Sequence, residues 1–267
     1  MSISYYCSNE QKQITMHELI IFLTGIVVGA MNSVAGGGML VGFPIMVALG
    51  IPPINANATG SIVVLPGQAA SVYGYKKYLH KISRKYLLLL IPCMSGAGIG
   101  ALILRHTSNA RFTHLIPILI LFAVLLFAAQ PFLHFHLHRH ISKKSQNNQT
   151  LLLIGLALFP VSIYAGYFGP GYGFLMLAFL GFTSIGDVHK MNALKNLAGV
   201  GIATTVILCL VGAHLFYWKL GLFMAAGSLI GGYSGSKLSL RFSSHAIRIV
   251  VIVIGLISAG YLAFRAY

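Results

Sequence analysis

The chain has 267 residues, 57% of them hydrophobic and 8% charged, with a mean hydropathy of +0.83, which is too apolar for a water-soluble globule of this length. Eighteen Lys and Arg stand against three acids, Glu10, Glu18 and Asp187, for a formal charge of +15. So few acids leave no paired-carboxylate or Ser-His-Asp arrangement to read, so no enzyme and no catalytic residue is expected.

The N-terminal MSISYYCSNEQKQ is polar and carries no signal-peptide pattern, so the first helix is expected to serve as its own insertion signal. Apolar runs of helical length then follow at Ile14 to Met31, Ile62 to Tyr75, Tyr86 to Leu104, Leu115 to Phe132, Leu151 to Phe168, Val200 to Leu215, Leu220 to Ile230 and Ala246 to Phe264. A bilayer core of about 30 Å needs about 20 helical residues, so these runs predict an all-α, polytopic integral membrane protein. Cys7, Cys93 and Cys209 are odd in number and widely spaced, which fits packing residues better than a disulfide framework or a zinc site. The alternating His134, His136, His138 and His140 lie at a helix exit beside a basic linker and read as a solvated face, so no metal is expected. Tyr217 and Trp218 read as interface anchors.

The sustained polar connector at 133–149 divides the chain into a first transmembrane repeat, 14–132, and a second, 150–267. A shift of 135 residues places Gly36 on Gly171, Gly38 on Gly173, Asn57 on Asn192, Gly96 on Gly231 and Gly100 on Gly235 without a gap. YKKYLHKISRK carries Lys76, Lys77, Lys81, Arg84 and Lys85, whereas its shifted counterpart carries only Lys219, as though the two loops faced opposite sides of the membrane. With the first loop inside, twelve basic residues fall inside and five outside, Lys195 set apart, and both termini and the cytoplasmic linker take their sides accordingly: termini out, linker in. The basic residues thus report orientation, and nucleic acid is not expected as a partner. The expected plan is two inverted repeats of about five helical segments each, with the short segments at 36–50 and 171–181 either spanning or re-entrant.

NSVAGGGMLVGFP interrupts the first apolar region with Asn32, Ser33, Gly36, Gly37, Gly38 and Pro44. In lipid, backbone groups freed by such a break cost several kcal/mol unless they are buried in protein or line a wet cavity, so the break implies an internal site. A short helix beginning at Gly37 or Gly38 would point free N–H groups and a partial positive charge into that site, which favours an anion. YFGPGYGF repeats the arrangement with Tyr167, Pro170, Gly171, Tyr172 and Gly173. The pairs Gly96/Gly100 and Gly231/Gly235 read instead as close helix packing. Lys195 either snorkels back to the inner interface or points inward. Pointing inward, it would complete an anion pocket with Asn57, Thr59, Ser61, Asn192 and Asn196 as hydrogen-bonding groups.

GAMNSVAGGGMLVGFPIMVALGIPPINANATGS at Gly29 to Ser61, with YAGYFGPGYGFLMLAFLGF at Tyr164 to Phe182 and NALKN at Asn192 to Asn196, resembles the paired motifs of the TauE/SafE sulfite exporters, or toluenesulfonate uptake permeases. The resemblance covers nearly the whole chain. It implies a secondary transporter of small sulfur-containing or organic anions, such as sulfite, sulfoacetate or other sulfonates, in the cytoplasmic membrane of a prokaryote. Many members carry acids where this chain has Asn32 and Ala165, and an ATNK segment where it has Ala58-Thr59-Gly60-Ser61. A coupling role for those acids is therefore not carried over. The expected partners are the bilayer and a small anion, with no cofactor and with a homo-oligomer left open. A non-transporting membrane scaffold and an anion channel are the alternatives.

Overall fold

The computed structural model describes residues 2–140, 148–183 and 185–239, side chains from 18 to 125 and again from 149, and six positions between 253 and 264. Most of the apolar run at 246–264, much of the connector and the side chains of His134 to His140 lie outside the described residues.

Ten α-helices follow one another among the described residues: α1 (Ser2–Val34), α2 (Met39–Ala48), α3 (Pro53–Gly74), α4 (Lys76–Leu79), α5 (Leu90–Arg105), α6 (Asn109–His140), α7 (Asn148–Phe168), α8 (Tyr172–Leu180), α9 (Val188–Leu210) and α10 (Trp218–Leu238). The fold is all-helical. Start signals are local: Pro53 opens α3, where its missing N–H costs nothing, and Asp187 caps α9 by accepting from His189 N at 2.8 Å. Three helical stretches, at 84–105, 149–168 and 188–213, are long and apolar enough to cross a membrane, and shorter apolar helices include those at 18–34, 39–48 and 109–125. Leu19, Leu23, Ile91, Leu152, Leu153, Leu156 and Leu208 point outward, as lipid contact allows.

Small residues hold the long helices together. A Cβ on Gly231 would collide with Ile26 O on α1, and one on Gly96 would lie 2.6 Å from Phe159 O on α7. Both glycine pairs therefore bring backbones into contact, α10 on α1 and α5 on α7, as the spacing predicts. These contacts correspond under the 135-residue shift, which carries α1 onto α7, α2 onto α8, α3 onto α9 and α5 onto α10. Between them, α3 packs on α9.

Cross-bundle contacts define two ends. At one, Glu18 pairs with Lys219 at 3.4 Å, Asn55 Nδ2 donates to Leu215 O at 2.9 Å, and Arg105 Nη1 reaches Cys209 O at 3.4 Å. At the other, Tyr75 OH lies 2.7 Å from Ser239 Oγ and its ring stacks on His189 at 6.3 Å. Gly155, near the start of α7, sits against Leu89 and Pro92 at this second end. So α1 and α7 set out from opposite ends. Each following short helix runs back toward the end its predecessor left, since α3 begins beside Leu215 and α9 beside Tyr75. The chain therefore reverses direction at each glycine break.

Candidate functional site

Helix α1 stops because Gly36 takes φ +90, a left-handed conformation open to glycine, and its N–H bonds back to Met31 O at 3.1 Å in the manner of a glycine C-cap. The chain turns, and α2 starts beside α1 with Gly38 packed on Val28 O. Gly38 N donates to Asn32 Oδ1 at 2.8 Å, so a side chain from the end of α1 caps the beginning of α2. The second break uses two left-handed glycines, Gly169 at φ +55 and Gly171 at φ +85, with Tyr164 OH donating to Pro170 O at 2.8 Å.

The breaks meet. A Cβ on Gly36 would lie 2.6 Å from Gly173 Cα, and one on Gly37 would lie 2.5 Å from the Phe174 ring. Gly37, Gly38 and Gly173 therefore serve close approach, while Gly171 starts α8 against Ala123. Beside this contact lies a small cavity, about 40 Å³ of it open to the centre of a water-sized sphere, lined by both halves of the chain. Five of the candidate substrate-binding residues face it: Asn32, Gly36, Asn57, Ser61 and Tyr172. Met39, Gly60, Val64, Ala165, Gly166, Gly169, Pro170, Gly199, Ile202, Ala203 and Val206 complete the wall. Asn32 and Ala165, where the resemblance places acids in other members, are thus both cavity residues.

Lys195 does not snorkel. Its side chain is 1% exposed, and Nζ donates to Asn32 O at 2.9 Å, Ser33 O at 3.3 Å and Asn192 Oδ1 at 2.9 Å. Asn196 Nδ2 adds a bond to Ser33 O at 3.0 Å. Ser33, Asn192, Lys195 and Asn196 hence form a polar cluster on the end of α1, behind the cavity wall. The cation offsets the negative pole of α1 and satisfies carbonyls that the helix end leaves free. At the end of α7 the matching contact is Asn57 Nδ2 to Tyr167 O at 2.8 Å, while the Tyr167 ring packs edge-on to Phe112. Thr59 stands apart from the cavity and accepts from Tyr217 N at 3.1 Å.

Sequence reading passed over Gln68. It is 1% exposed on α3, and its Nε2 reaches Tyr172 OH at 2.5 Å beside Gly199. Its Oε1, like Asn196 Oδ1, is buried with no hydrogen-bond partner among the described residues. A polar residue inside the apolar run Ile62 to Tyr75 was the available signal.

The sulfite exporter TauE/SafE family model matches residues 21–262, which hold both glycine breaks and the buried lysine. The chain belongs to the TauE/SafE family. It is therefore a multi-pass membrane protein of a transporter family, not of an enzyme family. A probable membrane transporter protein of Haemophilus influenzae is 29% identical over 254 residues, covering 92% of this chain and 94% of that one. A second, from Sinorhizobium sp, is 26% identical over 240 residues with 88% of each chain covered, and a third, from Escherichia coli K12, is 26% identical over 261 residues, covering 93% and 90%. No solved structure matches.

Proposed function

We propose that this chain is a secondary transporter that moves a small anion, a sulfur oxyanion or sulfonate of the sulfite class, across the cytoplasmic membrane by alternating access. The observation that carries the reading is the cavity at the meeting point of the two glycine breaks, lined by α1, α2 and α3 from one half and α7, α8 and α9 from the other. A site at the junction of two halves is exposed to one side and then the other as the halves rock. In this reading the halves 14–132 and 150–267 are inverted repeats joined by a cytoplasmic linker, and both termini face outward. The opposite starting ends of α1 and α7 support that arrangement.

The start of α2 supplies the positive helix pole, and Lys195 supplies a full charge one layer behind it, so the field in the cavity favours an anion. Asn32, Asn57, Ser61 and the Tyr172 hydroxyl orient it, and Gly36 with Gly173 is the backbone contact about which the halves meet. Proteoliposomes loaded with labelled sulfite, sulfoacetate or toluenesulfonate test this reading. Saturable flux of one of them, lowered in Lys195→Met, is the expected result. Absence of flux for all three, together with copurification of a partner, would instead identify a scaffold.

A further inference from the structure

Gln68 and Tyr172 stand on opposite halves of the chain, one inside α3 and the other at the first residue of α8, and Gln68 Nε2 donates to Tyr172 OH at 2.5 Å. The 135-residue shift carries this pair to Ala203 and Gly37, neither of which has a polar side chain. Helix packing alone therefore does not call for a hydrogen bond at this place. The pair is also costly. Gln68 is buried, and its Oε1 has no hydrogen-bond partner among the described residues, so an amide sits in an apolar helix interior with half of its bonding unmet.

A tyrosine hydroxyl accepts at its oxygen and donates its one hydrogen. With Nε2 donating to the oxygen, the hydrogen of Tyr172 is left to donate, and no acceptor for it is present among the described residues. The hydroxyl end of the ring is at the cavity. Tyr172 and Gly199 both line the wall, and a Cβ on Gly199 would collide with Tyr172 OH and with Gln68 Oε1, so the missing side chain of Gly199 is what gives the pair its room. An O–H without an acceptor on the wall of a cavity is a seat for an acceptor atom on a solute. The amide bond onto its oxygen polarises that O–H and makes it a better donor.

We propose that Gln68 is a positioning residue for solute binding: it holds the Tyr172 hydroxyl with its hydrogen turned into the cavity, where Tyr172 donates to an oxygen of the bound oxyanion. Gln68 stands behind the wall and acts through Tyr172 alone. The inference rests on the anion reading given above and adds to it the donor that meets the solute and the residue that aims that donor. A sulfite or sulfonate oxygen carries negative charge and only accepts, so the bond from Tyr172 is charge-assisted.

The test is a double-mutant cycle read by thermal unfolding of the full chain in lipid nanodiscs, titrated with sodium sulfite, sulfoacetate or toluenesulfonate against sodium chloride at matched ionic strength. A Tm that rises saturably with one of the three is expected of the parent, because a ligand that binds only the folded state stabilises it. Tyr172→Phe should raise the half-saturating concentration about tenfold, by loss of one charge-assisted hydrogen bond. Gln68→Met, similar in volume, should raise it severalfold in the parent and leave it unchanged in the Tyr172→Phe background, where no hydroxyl remains to be aimed. Should Gln68→Met not fold, Gln68→Asn, whose shorter amide does not reach the hydroxyl, takes its place in the cycle. A Gln68 that serves packing alone would lower the starting Tm and leave half-saturation where it was. That result, or equal shifts in the two backgrounds, overturns the proposal and leaves the anion reading standing. A parent chain that responds to none of the three anions overturns the anion reading, and the proposal with it.

Discussion

Lys195 Nζ lies 2.9 Å from the carbonyl oxygen of Asn32, 163 positions earlier in the chain, and the same Asn32 uses its side chain to cap Gly38 N. One residue thus ends α1, begins α2 and receives the buried charge of the opposite half. The lysine is thus a structural clamp on the broken helix, and in the proposed reading it is a source of field for the cavity as well.

Replacing it separates those roles. Lys195→Met removes a donor from Asn32 O, Ser33 O and Asn192 Oδ1; Ser33 O keeps Asn196 Nδ2, and the other two are left buried without that donor. Each unsatisfied group costs about 1 to 3 kcal/mol, partly offset because a buried charge is also removed, so a net loss of about 3 kcal/mol is expected. Thermal unfolding in detergent should show a clearly lowered Tm for the variant. A Tm within a degree of the parent would mean that the clamp does not contribute, and any fall in flux could then be assigned to the field alone.

Gly36 and Gly50 offer a matched comparison. Both adopt left-handed backbone, φ +90 and φ +88, but a Cβ on Gly50 meets nothing within 4 Å, whereas one on Gly36 lies 2.6 Å from Gly173 Cα. Gly50→Ala should cost only conformational strain, about 1 to 2 kcal/mol. Gly36→Ala adds a collision between two backbones that cannot step aside, so its folded yield on size-exclusion chromatography should collapse while that of Gly50→Ala persists. Equal yields would show that the two breaks do not pack on each other in solution.

The breaks were legible because glycine and proline inside apolar runs have few uses in lipid, and the helices resume close to where the pattern placed them. The starts of α3 and α9 were less so. The apolar runs suggested Ile62 and Val200, whereas the helices begin at Pro53 and Val188. The residues between, INANATGS and HKMNALKNLAG, are polar for helix interiors because Asn57, Thr59, Lys195 and Asn196 bond to residues more than a hundred positions away. Hydropathy sees the polarity and cannot see the partner. The direction of Lys195 was open for the same reason. Its depth follows from the Asp187 cap, which sets the residue about two turns, roughly 10 Å, into α9. Gln68 is a single polar residue in an apolar run, and only the fold brings it to Tyr172.

The two bundle ends predict a topology that labelling can read. Lys77 belongs to the end that carries Tyr75 and His189, and Lys219 to the end that carries Glu18. In a background with Cys7, Cys93 and Cys209 replaced by Ser, Lys77→Cys should react with a membrane-impermeant maleimide only from the inside and Lys219→Cys only from the outside. Reaction of both from one face of intact cells would remove the inverted arrangement and, with it, alternating access between mirrored halves.

Asn32→Asp tests the electrostatics of the cavity without removing the helix cap. A carboxylate keeps an acceptor for Gly38 N and stays beside the Lys195 cluster, so the fold should survive. It also places a negative charge on the cavity wall. At a low effective dielectric, two like charges within about 5 Å repel by more than a kcal/mol, enough to weaken anion binding about tenfold or more. The apparent KM for sulfite in proteoliposomes should rise accordingly at neutral pH. Protonation removes the charge, so the KM of the variant should move back toward the parent as pH falls through the range in which that carboxyl titrates, with both proteins compared at each pH because sulfite itself titrates. A KM that is unchanged at neutral pH would mean that the anion does not pass Asn32, and the cavity between the two breaks would not be its route.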